Sequence, residues 1–202
     1  LVGSEMCIRD SDSFDQYVTT LGFDQISARI SSEQGVNIDT SKLQPVTTFD
    51  GQNFTYEDGS VVQAQTGAYL EFTLHFISHE NVIVRLTGES GSNGEAGTAF
   101  SSNVSGLPQA MRMSFTCDGQ TWVYNPNLGA SSTSSGSVTT FGIVSGSSNQ
   151  EANMFSLIAD TDKPTVVRVW LEGTDQNCTN MIKGADYSVT MRFEGIEQPE
   201  QQ

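Results

Sequence analysis

The chain has 202 residues, with 24 Asp+Glu against 9 Lys+Arg and a formal net charge of −15. That length suits a single domain whose core needs no metal or disulfide staple, and that charge repels phosphate and argues against a nucleic-acid partner. Charged residues make up only 16% while Gly, Ser, Thr and Asn abound, a balance that favours strands and loops over helices; no run approaches the roughly 18 apolar residues of a membrane span.

The first eleven residues read LVGSEMCIRDS. From Leu1 to Asp10 they resemble the translated end of a transposase-based sequencing adapter. Residues 1–11 are therefore set aside as foreign to the fold and are expected to lack stable packing. On this reading the frame opens mid-gene, so the lack of a signal peptide carries no information. Two of the three cysteines remain, Cys117 and Cys178.

Residues 12–46 form an N-terminal segment. Phe14 to Leu21 could make a helical turn or two; Ile26–Ile30 and Val36–Ile38 are short strand candidates. Gln44-Pro45-Val46 leads into Thr47–Phe49, and Asp50-Gly51 marks a turn. Leu70, Phe72, Leu74 and Phe76 alternate with Glu71, Thr73 and His75, the period of a half-buried strand. Ser78–Asn81 reads as a turn, after which Val82, Val84 and Leu86 are expected to return beside the first strand as a hairpin. Gly88–Gly97 is a polar loop. Met111, Met113 and Phe115 alternate with Arg112 and Ser114, and Asp118-Gly119 turns the chain into a partner strand at Thr121–Tyr124. Gly129–Gln150 is Ser/Thr/Gly-rich and reads as a loop with one short strand near Val138–Val144.

Thr165–Glu172 has apolar residues of both parities, as expected of a strand inside a sandwich. Tyr187, Val189, Met191 and Phe193 alternate with Ser188, Thr190, Arg192 and Glu194, a last strand with one wet face. A polar tail follows Gly195. Many short strands with frequent turns predict an all-β protein, an antiparallel β-sandwich of jelly-roll type spanning residues 47–195, with little helix and a tail at 196–202.

The run Val167-Arg-Val-Trp-Leu-Glu-Gly-Thr-Asp-Gln-Asn-Cys-Thr-Asn180, followed by Tyr187–Phe193, resembles the C-terminal signature of secreted Firmicute proteins related to TasA and camelysin. Gly67–Phe76 and Met111–Phe115 are similar to further strands of that superfamily. Together these patches cover roughly Phe49 to Glu194. The resemblance implies a jelly-roll domain, export, and assembly into extracellular or biofilm fibres. Asp12–Val46 matches nothing in the family pattern, and in fibre-forming members that region carries the assembly strand.

In an exported protein Cys117 and Cys178 suggest one disulfide, with two separate thiols as the alternative. The bridge would close a loop of about 60 residues and add roughly 3–4 kcal/mol in chain-entropy terms. Asp160, Asp162, Glu172 and Asp175 lie at both ends of one strand, some 25 Å apart at ~3.3 Å per residue. They cannot share one cation and read as solvated loop charge. His75 and His79 fall on a strand and its turn, with no Cys or Asp set to complete a zinc site. No G-x-S-x-G elbow, P-loop or dinucleotide glycine pattern is present. The sequence therefore gives no catalytic residue, no metal ligand set and no cofactor, and the expectation is a protein that is not an enzyme.

Trp170 reads as core, whereas Trp122 and Tyr124 share one parity beside a turn and are candidates for an exposed ligand-binding aromatic pair. The leading expectation is a secreted structural protein of the bacterial cell surface or matrix, a homo-oligomer or fibre joined through its sheet edges. The alternative is a secreted carbohydrate-binding module using Trp122 and Tyr124.

Overall fold

A computed structural model describes residues 4–9, 26–30, 42–63, 66–92, 94, 96–182 and 185–197. The expected helical turn at Phe14–Leu21 and the strand candidate Val36–Ile38 lie outside the described residues. Two β-sheets carry the fold, and the only α-helix among the described residues is the single turn Leu107–Ala110.

One sheet has five strands. β13 (Tyr187–Glu197) lies between β1 (Ser4–Arg9) and β5 (Val82–Leu86), which in turn pairs with β11 (Asn153–Leu157); β6 (Ala99–Ser102) also pairs with β13. The other sheet has eight strands, in the order β2 (Ile26–Ile30), β4 (Leu70–Ser78), β12 (Lys163–Glu172), β7 (Met111–Cys117), β8 (Gln120–Tyr124), β10 (Val138–Phe141), β9 (Ser132–Ser135), with β3 (Pro45–Val46) beside β12.

The inner faces meet through the alternating residues. Leu70, Phe72, Leu74 and Phe76 of β4, Met113 and Phe115 of β7, and Val167 and Val169 of β12 pack against Val84, Leu86, Val189, Met191 and Phe193 of the other sheet. Rings lock the layers edge to face: Phe193 lies 5.0 Å from Phe76 and 5.7 Å from Phe115. This is the two-layer sandwich that the period-two pattern predicts.

The structure departs from the sequence expectations at several points. β4 and β5 do not form a hairpin: β5 crosses to the opposite sheet and pairs with β13 and β11. Both strands carry an apolar face, and the turn at 79–81 sets those faces against each other across the core rather than side by side. β7 is dry on both faces, for Arg112 and Ser114 are buried as well. The segment 47–63, folded by bridges Thr47–Thr55 and Thr55–Val61, covers that outer face and builds a second small core of Val46, Phe54, Val62, Ala68, Tyr69, Val123 and Trp170.

Gly51 seats this cover. Its φ is +68°, and a Cβ there would lie 3.0 Å from the methyls of Thr121 and Val123, so glycine alone fits. Ser114 donates its hydroxyl to the Gly51 carbonyl at 2.7 Å.

The last strand is also dry on both sides: Arg192 and Glu194 are buried, and Arg85 donates to Glu194 at 2.7 Å. β13 runs through Glu197, so Ile196 and Glu197 pair with Ile83 and Val82 rather than forming tail. Finally, Ser4–Arg9, expected to lie outside the fold, pairs along β13 from Ser188 to Phe193. An open sheet edge is a template for any extended chain that reaches it.

Candidate functional site

Sheet edges are where this fold could make contacts, because an unpaired strand side presents free N–H and C=O groups. The N-terminal residues occupy two such edges. β1 covers β13, and β2 covers β4 with Ile26 opposite Ser78 and Ile30 opposite Leu74. The register over Ile26–Ile30 agrees with the strand read from sequence, and it places β2 on the sandwich's own edge.

The turn at the far end of β4 is tied down. The Asp160 N–H donates to the Ser78 carbonyl at 2.7 Å, and the Ala159 N–H donates to Asn81 Oδ1 at 2.9 Å. His75 Nδ1 lies 2.7 Å from Asp162 Oδ2, and His79 Nδ1 lies 2.8 Å from Asp160 Oδ1. These contacts join the β4–β5 turn to the β11–β12 turn beside the β2 pairing site. Asp160 and Asp162 thus find histidine partners at one end of β12.

Glu172 and Asp175 find theirs at the other. Glu172 accepts from the Trp170 indole N–H at 3.1 Å and from the Thr174 hydroxyl at 2.7 Å. Asp175 is a correction to the solvated-charge reading: its side chain is 8% exposed and its Oδ2 accepts from Arg112, itself 9% exposed, at 2.6 Å. Asn177 supplies a backbone N–H and an amide to Oδ1, both at 2.9 Å, and Asn127 an amide to Oδ2. Burial pushes the Asp175 carboxyl up, but the Asn177 N–H, the Arg112 guanidinium and the Asn177 amide together hold it below the usual carboxylate value. Nothing local marks this pair in sequence, since its members stand 63 residues apart.

The cysteines do not pair. Both are free thiols, Cys117 buried and Cys178 half-buried. Each sits beside a turn, as expected, but at opposite ends of one sheet. Cys117 closes β7 beside Gln120, whereas Cys178 belongs to the loop that Asp175 anchors at Arg112, where β7 begins. Five or six residues of strand separate those ends, about 18 Å at ~3.3 Å each, well beyond the Cα separation a disulfide spans. Burial raises the Cys117 thiol to about 11, and burial, reinforced by Asp175 and Glu172, raises that of Cys178. Neither is a reactive thiolate at neutral pH.

The aromatic pair is also corrected. Trp122 and Tyr124 share a face, but it is the inner one. Tyr124 is 5% exposed, stacks on Phe100 at 5.6 Å, and burial raises its hydroxyl to about 12. Trp122 is half-buried and packs 5.7 Å from Phe155 of the opposite sheet. Neither offers a platform to a sugar ring. Trp170 is core as expected, edge-on to Phe54 at 5.2 Å. Tyr56 lies half-buried beside an open surface hollow lined with Pro45, Glu57 and Asp58.

The two sheets therefore place the protein in the all-β class. No family model, curated protein or solved structure matches this chain. Among the described residues, no helix is long and apolar enough to cross a membrane.

Proposed function

We propose that this chain is a secreted structural protein of the bacterial cell surface or biofilm matrix, a sandwich of jelly-roll type that assembles by lending a strand to the open sheet edge of the next copy. The observation that carries the reading is β2, a five-residue strand laid antiparallel on β4. The chain from Ile30 to Lys42 can extend up to about 40 Å. The same strand can therefore complete β4 of its own copy or of a neighbour, and exchange of an identical element is a low-cost route to assembly.

The resemblance of Val167–Asn180 and Tyr187–Phe193 to the TasA and camelysin superfamily supports the same reading, as do acidic, Ser/Gly-rich loops that keep the surface solvated. The work of such a protein is assembly rather than catalysis, and it calls for no cofactor. The carbohydrate-binding alternative rested on Trp122 and Tyr124 and loses its support with their burial.

Electron microscopy tests the proposal. The full chain should form filaments. Removal of residues 12–41, which takes away β2 but leaves β3 and the buried Val46 in place, should abolish them while circular dichroism still reports a folded sandwich. Filaments that persist without that segment would overturn the strand-donor reading.

A further inference from the structure

Among the described residues, no strand covers the other end of the eight-stranded sheet. Among the described residues β9 pairs only with β10, and all four of its residues, Ser132–Ser135, are exposed. Edge strands are ordinarily blunted by charge, proline, a bulge or a covering segment. β11, the end strand of the other sheet, has a register shift between Asn153 and Ser156. β9 has no charge, no proline and an unbroken register with β10.

Its surroundings are neutral as well. From Gly119 to Gln150 the sequence holds no Asp, Glu, Lys, Arg or His, and all 24 acidic residues of the chain lie elsewhere. Two copies that each carry a charge of −15 repel at most approaches, and least where local charge is absent.

The ladder fixes which groups are free. The Gly142 N–H donates to the Ser131 carbonyl at 2.9 Å. Hydrogen-bonded pairs alternate along an antiparallel ladder. With Thr133 opposite Thr140 and Ser135 opposite Val138, Ser131, Thr133 and Ser135 point their backbone groups at β10. Ser132 and Ser134 therefore turn N–H and C=O outward.

We propose that β9 is a homodimer contact, in which two copies pair edge to edge and antiparallel about a two-fold axis at Thr133. Ser132 of each copy exchanges N–H and C=O bonds with Ser134 of the other. Thr133 faces its own counterpart in a non-hydrogen-bonded pair, and the two eight-stranded sheets become continuous. A two-fold contact of this kind is self-complementary and closes after two copies. It is independent of strand donation from Asp12–Val46, because it uses the opposite end of the sheet.

Sedimentation velocity of the full chain, from micromolar to submillimolar concentration, should show a concentration-dependent dimer. Thr133→Glu places like charges directly opposite each other and should weaken dimerisation at least about tenfold, equivalent to ~1.4 kcal/mol, while the circular dichroism spectrum is unchanged. Thr133→Cys should oxidise to a covalent dimer, because Cα atoms in such a pair lie ~4.5 Å apart, within disulfide reach. A chain that stays monomeric throughout, a Thr133→Glu variant that dimerises as tightly as the parent, or a Thr133→Cys variant that forms no cross-link would each overturn the proposal.

Discussion

Phe193→Ala should destabilise the sandwich by about 3–5 kcal/mol, a large share of the ~5–15 kcal/mol that holds a typical domain folded. Phe193 is fully buried at the centre of β13, and its ring makes edge-to-face contacts with Phe76 and Phe115 of the opposite sheet at interplanar angles of 84° and 85°. Phe76 passes the contact on to Phe155, so one ring ties both layers together. Truncation removes the transferred apolar area and leaves a void that rigid β-strands cannot close. Denaturant unfolding should show a lower midpoint with an unchanged slope. Phe49→Ala is the control: Phe49 is fully exposed, and its loss should cost less than ~0.5 kcal/mol. Equal effects of the two truncations would contradict the assignment of the core.

Asp175→Ala should cost about 3–5 kcal/mol, because it leaves the Arg112 guanidinium buried without its counter-charge. Arg112 also donates to the carbonyls of Gln109 and Met111, at 2.6 Å and 2.8 Å, so it cannot swing out to water without giving up those bonds. The double variant Asp175→Ala/Arg112→Ala should cost less than the sum of the two single substitutions, because removing both partners leaves no buried charge uncompensated.

The same carboxylate shapes the acid limb of stability. Its folded pKa is below the unfolded value near 3.9. The stability it contributes is therefore fully present above about pH 4, falls as pH drops through its folded pKa, and is gone below it. Asp50 acts in the same direction. Burial pushes its carboxyl up, but the N–H groups of Asn53 and Gln52, the Asn53 amide and the Thr48 hydroxyl outweigh that and lower it. Asp175→Asn should flatten the stability loss below pH 4 relative to the parent. An identical acid profile would contradict the role given to the pair.

The strands that carry the main core were legible because their apolar residues recur at period two. β4, β7, β12 and β13 all fall where Leu70–Phe76, Met111–Phe115, Thr165–Glu172 and Tyr187–Glu194 predict. The β7–β8 turn was legible for a local reason: Asp118 and Gly119 adopt φ of 50° and 74°, the left-handed pair that Asp-Gly supplies at a two-residue hairpin. Periodicity names the residues that share a face but not which face turns inward, and Trp122 and Tyr124 were placed on the wrong side for that reason. Nor does it assign a strand to a sheet, so β5 was expected beside β4 and lies across the core from it.

β9 was missed because Ser-Thr-Ser-Ser has no apolar residue to alternate. The Arg112–Asp175 pair and the cover laid by 47–63 over Ser114 arise from contacts remote in sequence. The opposite ends occupied by Cys117 and Cys178 become apparent only once β7 and β12 are aligned.

Strand donation between copies is tested most directly by a mixed cross-link across the β2–β4 ladder. Ser27 lies opposite Ile77, at a Cα separation of about 4.5–5.5 Å for directly paired residues, which a disulfide can bridge. One preparation carries Ser27→Cys, the other Ile77→Cys, and the two are mixed under filament-forming conditions and gently oxidised. The account predicts chain pairs linked from position 27 of one copy to position 77 of another, identified by peptide mass. A link that forms only within a single chain carrying both substitutions, and never between copies, would contradict it.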